Sequence, residues 1–141
     1  MSEHRRYFTP ASANATLPLV SRIVSDLLRL HPEWRQAVTD FELAQDGADA
    51  SSETATARTA RLEAGRLAGE IEACLEELEQ VGCLFRGFES GLVDFPMQHE
   101  GRVVSLCWQH GETEVAHWHE LDAGFPGRQP LDASFFAREG A

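Results

Sequence analysis

The chain has 141 residues and a mass of 15.6 kDa, and its 12 basic against 23 acidic residues give a formal net charge of −11. That length builds one hydrophobic core, and a composition of 43% hydrophobic, 9% aromatic and 25% charged residues excludes disordered, collagen-like and disulfide-stapled classes. A field of that sign repels phosphate backbones and anionic lipid, and no basic patch offsets it, so neither nucleic acid nor a membrane is expected as a partner.

The segment Met1 to Phe8 is polar, and no apolar run of signal-peptide length follows it. No apolar stretch is long enough to cross a bilayer, so a cytoplasmic location is expected. Cys74, Cys83 and Cys107 are odd in number and fit neither a disulfide framework nor a CxxC zinc pair, so they read as free thiols. Every basic residue is arginine, which fits a GC-rich genome better than a special function.

Phe8-Thr9-Pro10 has the chemistry of a helix start: Phe8 can staple, Thr9 can cap, and proline suits the first turn. Leu17, Val20, Ile23, Val24, Leu27, Leu28 and Leu30 then recur at helical spacing, with Pro18 expected to bend the first turns. His31-Pro32 is a second interruption, and Trp34, Val38, Phe41 and Leu43 continue the same helix or begin another. Asp46 to Glu53 has no large apolar residue and reads as a loop. From about Thr54 to Val81 the helical period returns, with Leu62, Leu67, Ile71, Cys74, Leu75, Leu78 and Val81 on one stripe and Gly82 as the stop.

After Gly82 the period becomes two. Segments near Cys83 to Phe88, Leu92 to Met97, Arg102 to Trp108 and Val115 to Leu121 predict an antiparallel meander of three to four strands. The expected architecture is α+β: one domain over residues 1–141, with a helical hairpin over about 10–82 packed on a meander over about 83–121. A glycine- and proline-rich C-terminal loop occupies 122–141, with a short helical turn at Asp132 to Arg138.

One pairing scheme sorts the apolar residues of all the hairpins: Phe85 opposite Phe95, Phe95 opposite Val104, and Val104 opposite Glu120. Phe85, Val93, Phe95, Met97, Leu106, Trp108 and Trp118 then face the helices. The other face carries Arg86 opposite Asp94, Asp94 opposite Ser105, and Ser105 opposite His119, with Cys107 and His117 alongside. His117 and His119 lie two apart on one strand, about 6.6 Å between Cα atoms, with both rings on one face. Those two histidines with Cys107, or with Asp94 as third ligand, can chelate a divalent metal such as zinc and leave a fourth position open. An acid–base chain of Asp94, Ser105 and His119 is weaker, because a serine flat in mid-strand lacks the turn and oxyanion donors of acyl transfer. Arg86 with Asp94 reads equally as a cross-strand ion pair, and Glu112 as a hairpin-loop residue able to reach over the sheet edge. The turn at Gly124-Phe125-Pro126-Gly127 folds Arg128 onto Glu120 or Asp122, or offers it to an anion.

The chain carries Phe8-Thr9, Ala13-Asn14, Leu17-Pro18-Leu19-Val20, Gly91-Leu92-Val93-Asp94-Phe95-Pro96, Leu106-Cys107-Trp108 and Gly111-Glu112 together with Trp118-His119-Glu120, Leu121-Asp122-Ala123-Gly124-Phe125 and Gly127-Arg128-Gln129-Pro130-Leu131. By these motifs nearly the whole chain closely resembles an uncharacterised prokaryotic family, domain of unknown function 2203. The resemblance implies a small protein without an established activity. His119, Asp94 and Cys107 lie within its motifs and His117 lies outside them. Pro10 to Ala13 stand where the family pattern has an acidic pair, which predicts a weakened first-turn cap. The function expected first is a non-enzymatic interaction or assembly module, acting as a homo-oligomer or with a protein partner, because the apolar stripe on both helices exceeds what a small sheet covers. The alternative is a divalent-metal-binding protein, hydrolytic or not, with its site on the sheet.

Overall fold

The computed structural model describes residues 6–46 and 52–136. Helix α1 runs Pro10–Gln45 without a break, and α2 runs Ala55–Val81. Thr9 caps α1: its side chain accepts from the Ser12 backbone N–H at 3.1 Å, while the Thr9 N–H donates to Ser12 Oγ at 2.9 Å. Ser12 thus closes a capping box, and the start of α1 is fully capped, contrary to the expected weakening. Pro18 and Pro32 both lie on the exposed side of α1, where water can satisfy the carbonyls they leave unpaired, so neither ends the helix. The sequence left open whether Pro32 starts a second helix, and it does not. Helix α2 ends where Gly82 takes φ 103° and its N–H returns to the Glu79 and Leu78 carbonyls. Within the expected loop, residues 47–51 fall outside the described part of the chain.

Five strands follow in meander order: β1 Leu84–Phe85, β2 Leu92–His99, β3 Arg102–Gln109, β4 His117–Glu120 and β5 Gln129–Pro130. The fifth comes from the segment expected to be loop, which also carries 3₁₀ turns at Phe125–Gly127 and Ala133–Phe135, the second inside the expected Asp132 to Arg138 turn.

The β3–β4 ladder has the expected offset, with Val104 opposite Glu120, Ser105 opposite His119 and Cys107 opposite His117. The β2–β3 ladder is displaced by two residues from expectation. Phe95 faces Leu106 instead of Val104, and Asp94 faces Cys107 instead of Ser105. The cause is the turn: Glu100 (φ 52°) and Gly101 (φ 81°) form a two-residue hairpin connection, and β2 runs on to His99 opposite Arg102. The sequence pattern alone predicts a four-residue connection, Gln98 to Gly101. The β1–β2 ladder is likewise displaced by two: Phe85 faces Val93 rather than Phe95, and the Arg86 N–H bonds the Leu92 carbonyl. A shift of two preserves side-chain facing, so every residue stays on its expected face.

The helix-facing side of the sheet is fully packed. Val93, Phe95, Met97, Val104, Leu106, Trp108 and Trp118 join Ala13, Leu17, Val20, Ile23, Val24 and Leu27 of α1, and Leu78 of α2, in one core cluster. Phe8 lies edge-on to Phe95 at 5.1 Å between centroids, and its N–H donates to the Pro96 carbonyl at 2.7 Å. Asn14 Oδ1 accepts the Val115 N–H at 2.7 Å, tying α1 to the segment leading into β4. Gly91 (φ 66°) is required where the β1–β2 connection meets α1, because a Cβ there would lie 2.8 Å from His110 Cβ and 3.1 Å from Leu28 Cδ1. Farther along the hairpin a second, smaller cluster of Leu30, Ala37 and Leu67 holds the helices together without the sheet. No helix of the described residues is long and apolar enough to cross a membrane.

Candidate metal centre

The face of the sheet turned away from the helices carries the polar side chains, but they are not in solvent. Asp94 of β2, Cys107 of β3 and His119 of β4 are 3%, 1% and 2% exposed, and Ser105 is buried with them. The segment after β4 folds back over this face. Leu121, Gly124 and Phe125, with Arg86 and Leu92 opposite, wall a cavity of about 330 Å³ whose floor is Asp94, Cys107 and His119.

The floor residues occupy three neighbouring strands. Asp94 and Cys107 are directly opposed, and His119 sits two positions along from His117, which opposes Cys107. The imidazole reaches over the middle strand so that His119 Nε2 lies 3.2 Å from Asp94 Oδ1. One ligand atom from each of the three residues lies within 4.8 Å of the others.

The contacts of His119 define what this arrangement can do. Its Nδ1 is 2.7 Å from the Glu120 carbonyl, and a carbonyl only accepts, so Nδ1 carries the proton. In the neutral ring Nε2 then presents a lone pair to a carboxylate oxygen. Such a contact is favourable only when a positive charge lies between the two atoms: a second ring proton, a carboxyl proton or a metal ion. Asp94 is fixed on its outer oxygen, where Arg86 Nε donates to Oδ2 at 2.9 Å. An imidazole bonded through Nδ1 to a backbone carbonyl, and a carboxylate held by an arginine, are the supports that orient metal-ligating histidines and carboxylates. In tetrahedral zinc geometry, bond lengths near 2.0–2.2 Å separate N and O ligands by about 3.3–3.5 Å. The observed 3.2 Å nearly matches that spacing. Burial, and then the neighbouring Asp94 carboxylate, push the Cys107 thiol up to about 11, so without a metal it is a neutral S–H.

The other candidates fall elsewhere. His117 shares the face but contributes no atom to the cluster, and its Nδ1 is buried without a hydrogen-bond partner. The His117–His119 pair therefore does not form the chelate expected of it, because His119 turns toward Asp94. Ser105 opposes His119 and Pro96, but among the described residues no side-chain hydrogen bond links it to His119 or Asp94, so the acid–base chain is not assembled. Glu120 pairs with Arg102, at 2.6 and 3.1 Å, at the edge of the sheet. Arg128 turns to Glu112 rather than to Glu120 or Asp122, donating through Nη2 to both carboxylate oxygens at 3.0 and 2.9 Å. Burial alone would raise the Glu112 carboxyl, but hydrogen bonds from Arg128 and the Gln109 N–H outweigh it and hold the group below its usual range. The Arg128 guanidinium also lies 4.9 Å from the Phe125 ring centroid, which fixes that ring at the rim of the cavity. The sequence pattern does not mark Leu92, Leu121 and Phe125 as wall residues. The only signal for Phe125 was the rigid Gly124-Phe125-Pro126-Gly127 turn, which nothing in the periodicity located over the sheet.

The model of an uncharacterised conserved protein family, DUF2203, matches residues 6–131. The chain belongs to that family. No curated protein and no solved structure matches the chain significantly. The family's description assigns no activity, and every residue of the floor and walls lies within the matched span.

Proposed function

We propose that this protein binds one divalent transition metal of the zinc class through Asp94 Oδ1, the Cys107 thiolate and His119 Nε2. The observation that carries the reading is the 3.2 Å approach of His119 Nε2 to a carboxylate oxygen, with Nδ1 already engaged by a backbone carbonyl, at the floor of a cavity and beside a buried thiol. A carboxylate, a thiolate and an imidazole suit zinc-class ions, and three protein ligands leave a fourth position that would open into the cavity, as in catalytic rather than structural zinc sites. Ion uptake would displace the thiol proton of Cys107.

The test is elemental analysis of protein purified without a histidine tag, stripped with chelator and reloaded with zinc. About one zinc per chain is expected in the wild type, falling to below roughly a tenth in Asp94→Asn and Cys107→Ser, which change a ligand and hardly alter volume. A wild-type stoichiometry near zero, or one indifferent to Cys107→Ser, overturns the reading.

A second reading, self-assembly, rests on the part of the hairpin beyond the sheet. There Leu43, 72% exposed, lines a groove with Ala37, Ala44 and Ala60, and Leu62 of α2 is 53% exposed. Light scattering at micromolar concentration tests it: a dimer lost in Leu43→Ser/Leu62→Ser supports it, and a strict monomer removes it.

A further inference from the structure

Arg86 stands at the mouth of the cavity above the three proposed ligands, and only its Nε is engaged, by Asp94 Oδ2 at 2.9 Å. Its side chain is 51% exposed, and among the described residues its two Nη groups bond to nothing. Across the mouth, Leu121 and Phe125 present an apolar wall. The Phe125 ring is 40% exposed yet anchored, because it lies against Arg128, which is itself clamped on Glu112. A volume of about 330 Å³ is at the lower limit of small-molecule pockets.

Charge narrows the occupant. A divalent ion held by one carboxylate and one thiolate is locally neutral, and Arg86 then leaves the site with one positive charge in a protein whose net charge is −11. A monoanion balances that charge, whereas a dianion overshoots it inside an already acidic molecule. A planar carboxylate also matches the fork of the free Nη groups.

We infer that the cavity takes a small organic monocarboxylate, its carboxylate set between Arg86 and the open position of the metal and its apolar body against Leu121 and Phe125. This rests on the metal reading above. No bond is made or broken in the binding step.

Cobalt(II) in place of zinc tests it, since the thiolate-to-cobalt absorption reports loading and the visible d–d bands report what occupies the open position. Benzoate, acetate and inorganic phosphate are the titrants. Saturable, benzoate-dependent changes in the d–d bands are expected in the wild type. Half-saturation should move roughly tenfold or more upward in Arg86→Gln, compared with the wild type at equal cobalt occupancy set by excess cobalt, since Arg86 also holds the Asp94 ligand. Phe125→Ala should weaken benzoate and leave acetate nearly unchanged. Loaded protein whose bands ignore benzoate overturns the inference and leaves the metal reading standing. So does tighter binding of phosphate than of benzoate, or an Arg86→Gln variant as responsive as the wild type. Failure to load cobalt overturns the metal reading itself.

Discussion

On one side of the sheet, Phe95, Leu106, Trp108 and their neighbours press into two long helices. On the other, Asp94, Ser105, Cys107 and His119 are buried just as completely, under a few residues of irregular chain. The first face is closed by elements with a periodic apolar stripe, so its packing follows from hydrophobic area. The second is closed by a strap of glycine, proline and one anchored aromatic ring, and its burial serves polar groups that must then satisfy one another. The difference teaches that burial alone does not mark a stability core. Where the cover is thin and the contents are a carboxylate, a thiol and an oriented imidazole, burial gathers the groups that the proposed metal site would use.

The sharpest way to break this comparison is to damage each face and compare the losses. Phe95→Ala removes a fully buried ring from the helix side and its edge-on contact with Phe8, and should cost about 3–5 kcal/mol in urea unfolding. A loss below about 1 kcal/mol would mean that this face is not the main core. Glu112→Ala strips the strap of its clamp and leaves Arg128 unpaired, and should cost less, about 1–3 kcal/mol. It should also loosen Phe125, seen as faster backbone amide exchange confined to residues 121–128. An effect as large as that of Phe95→Ala would make the strap part of the core.

A third effect is one of pH, sharpened by composition: the chain has no lysine and one tyrosine, so apart from the third thiol, Cys74, little else titrates between pH 9 and 11. One buried thiol lies on each side of the sheet. Burial pushes Cys83 up to about 11, and burial with the Asp94 charge does the same for Cys107, against an ordinary value of 9.0. The unfolded thiols ionise first, so the folded state holds more protons above pH 9. Their contribution to stability is therefore complete below about pH 9 and is lost as pH rises toward 11. In metal-free protein, urea midpoints should fall across that window, and Cys83→Ala should flatten the fall. A midpoint that does not change from pH 8 to 11 would contradict the burial of both thiols.

How much could be read from sequence follows the same division. Facing was legible throughout, because Val93, Phe95 and Met97 alternate with Asp94 and the tryptophans of β3 and β4 sit at matching parity. Offset was not, because it depended on whether Glu100 would accept a positive φ and shorten the turn, and that change put Asp94 opposite Cys107. The hairpin helices were legible from their stripe, but the continuity of α1 through Pro18 and Pro32 was not, since it depends on which side of the helix faces water. At the candidate centre, Asp94, Cys107 and His119 were named from sequence and His117 was named with them. Only the turn of the His119 ring toward Asp94, set by its bond to the Glu120 carbonyl, separates the two histidines. The strap was invisible, because glycine and proline describe how a segment turns and carry no information on where it lands.

X-ray absorption at the zinc edge of the reloaded protein tests the central claim most directly. The account predicts one sulfur scatterer at about 2.3 Å and nitrogen or oxygen neighbours at about 2.0–2.2 Å, with the sulfur contribution absent in Cys107→Ser. A bound zinc surrounded only by nitrogen and oxygen in the wild type, or a sulfur shell that survives Cys107→Ser, would contradict it.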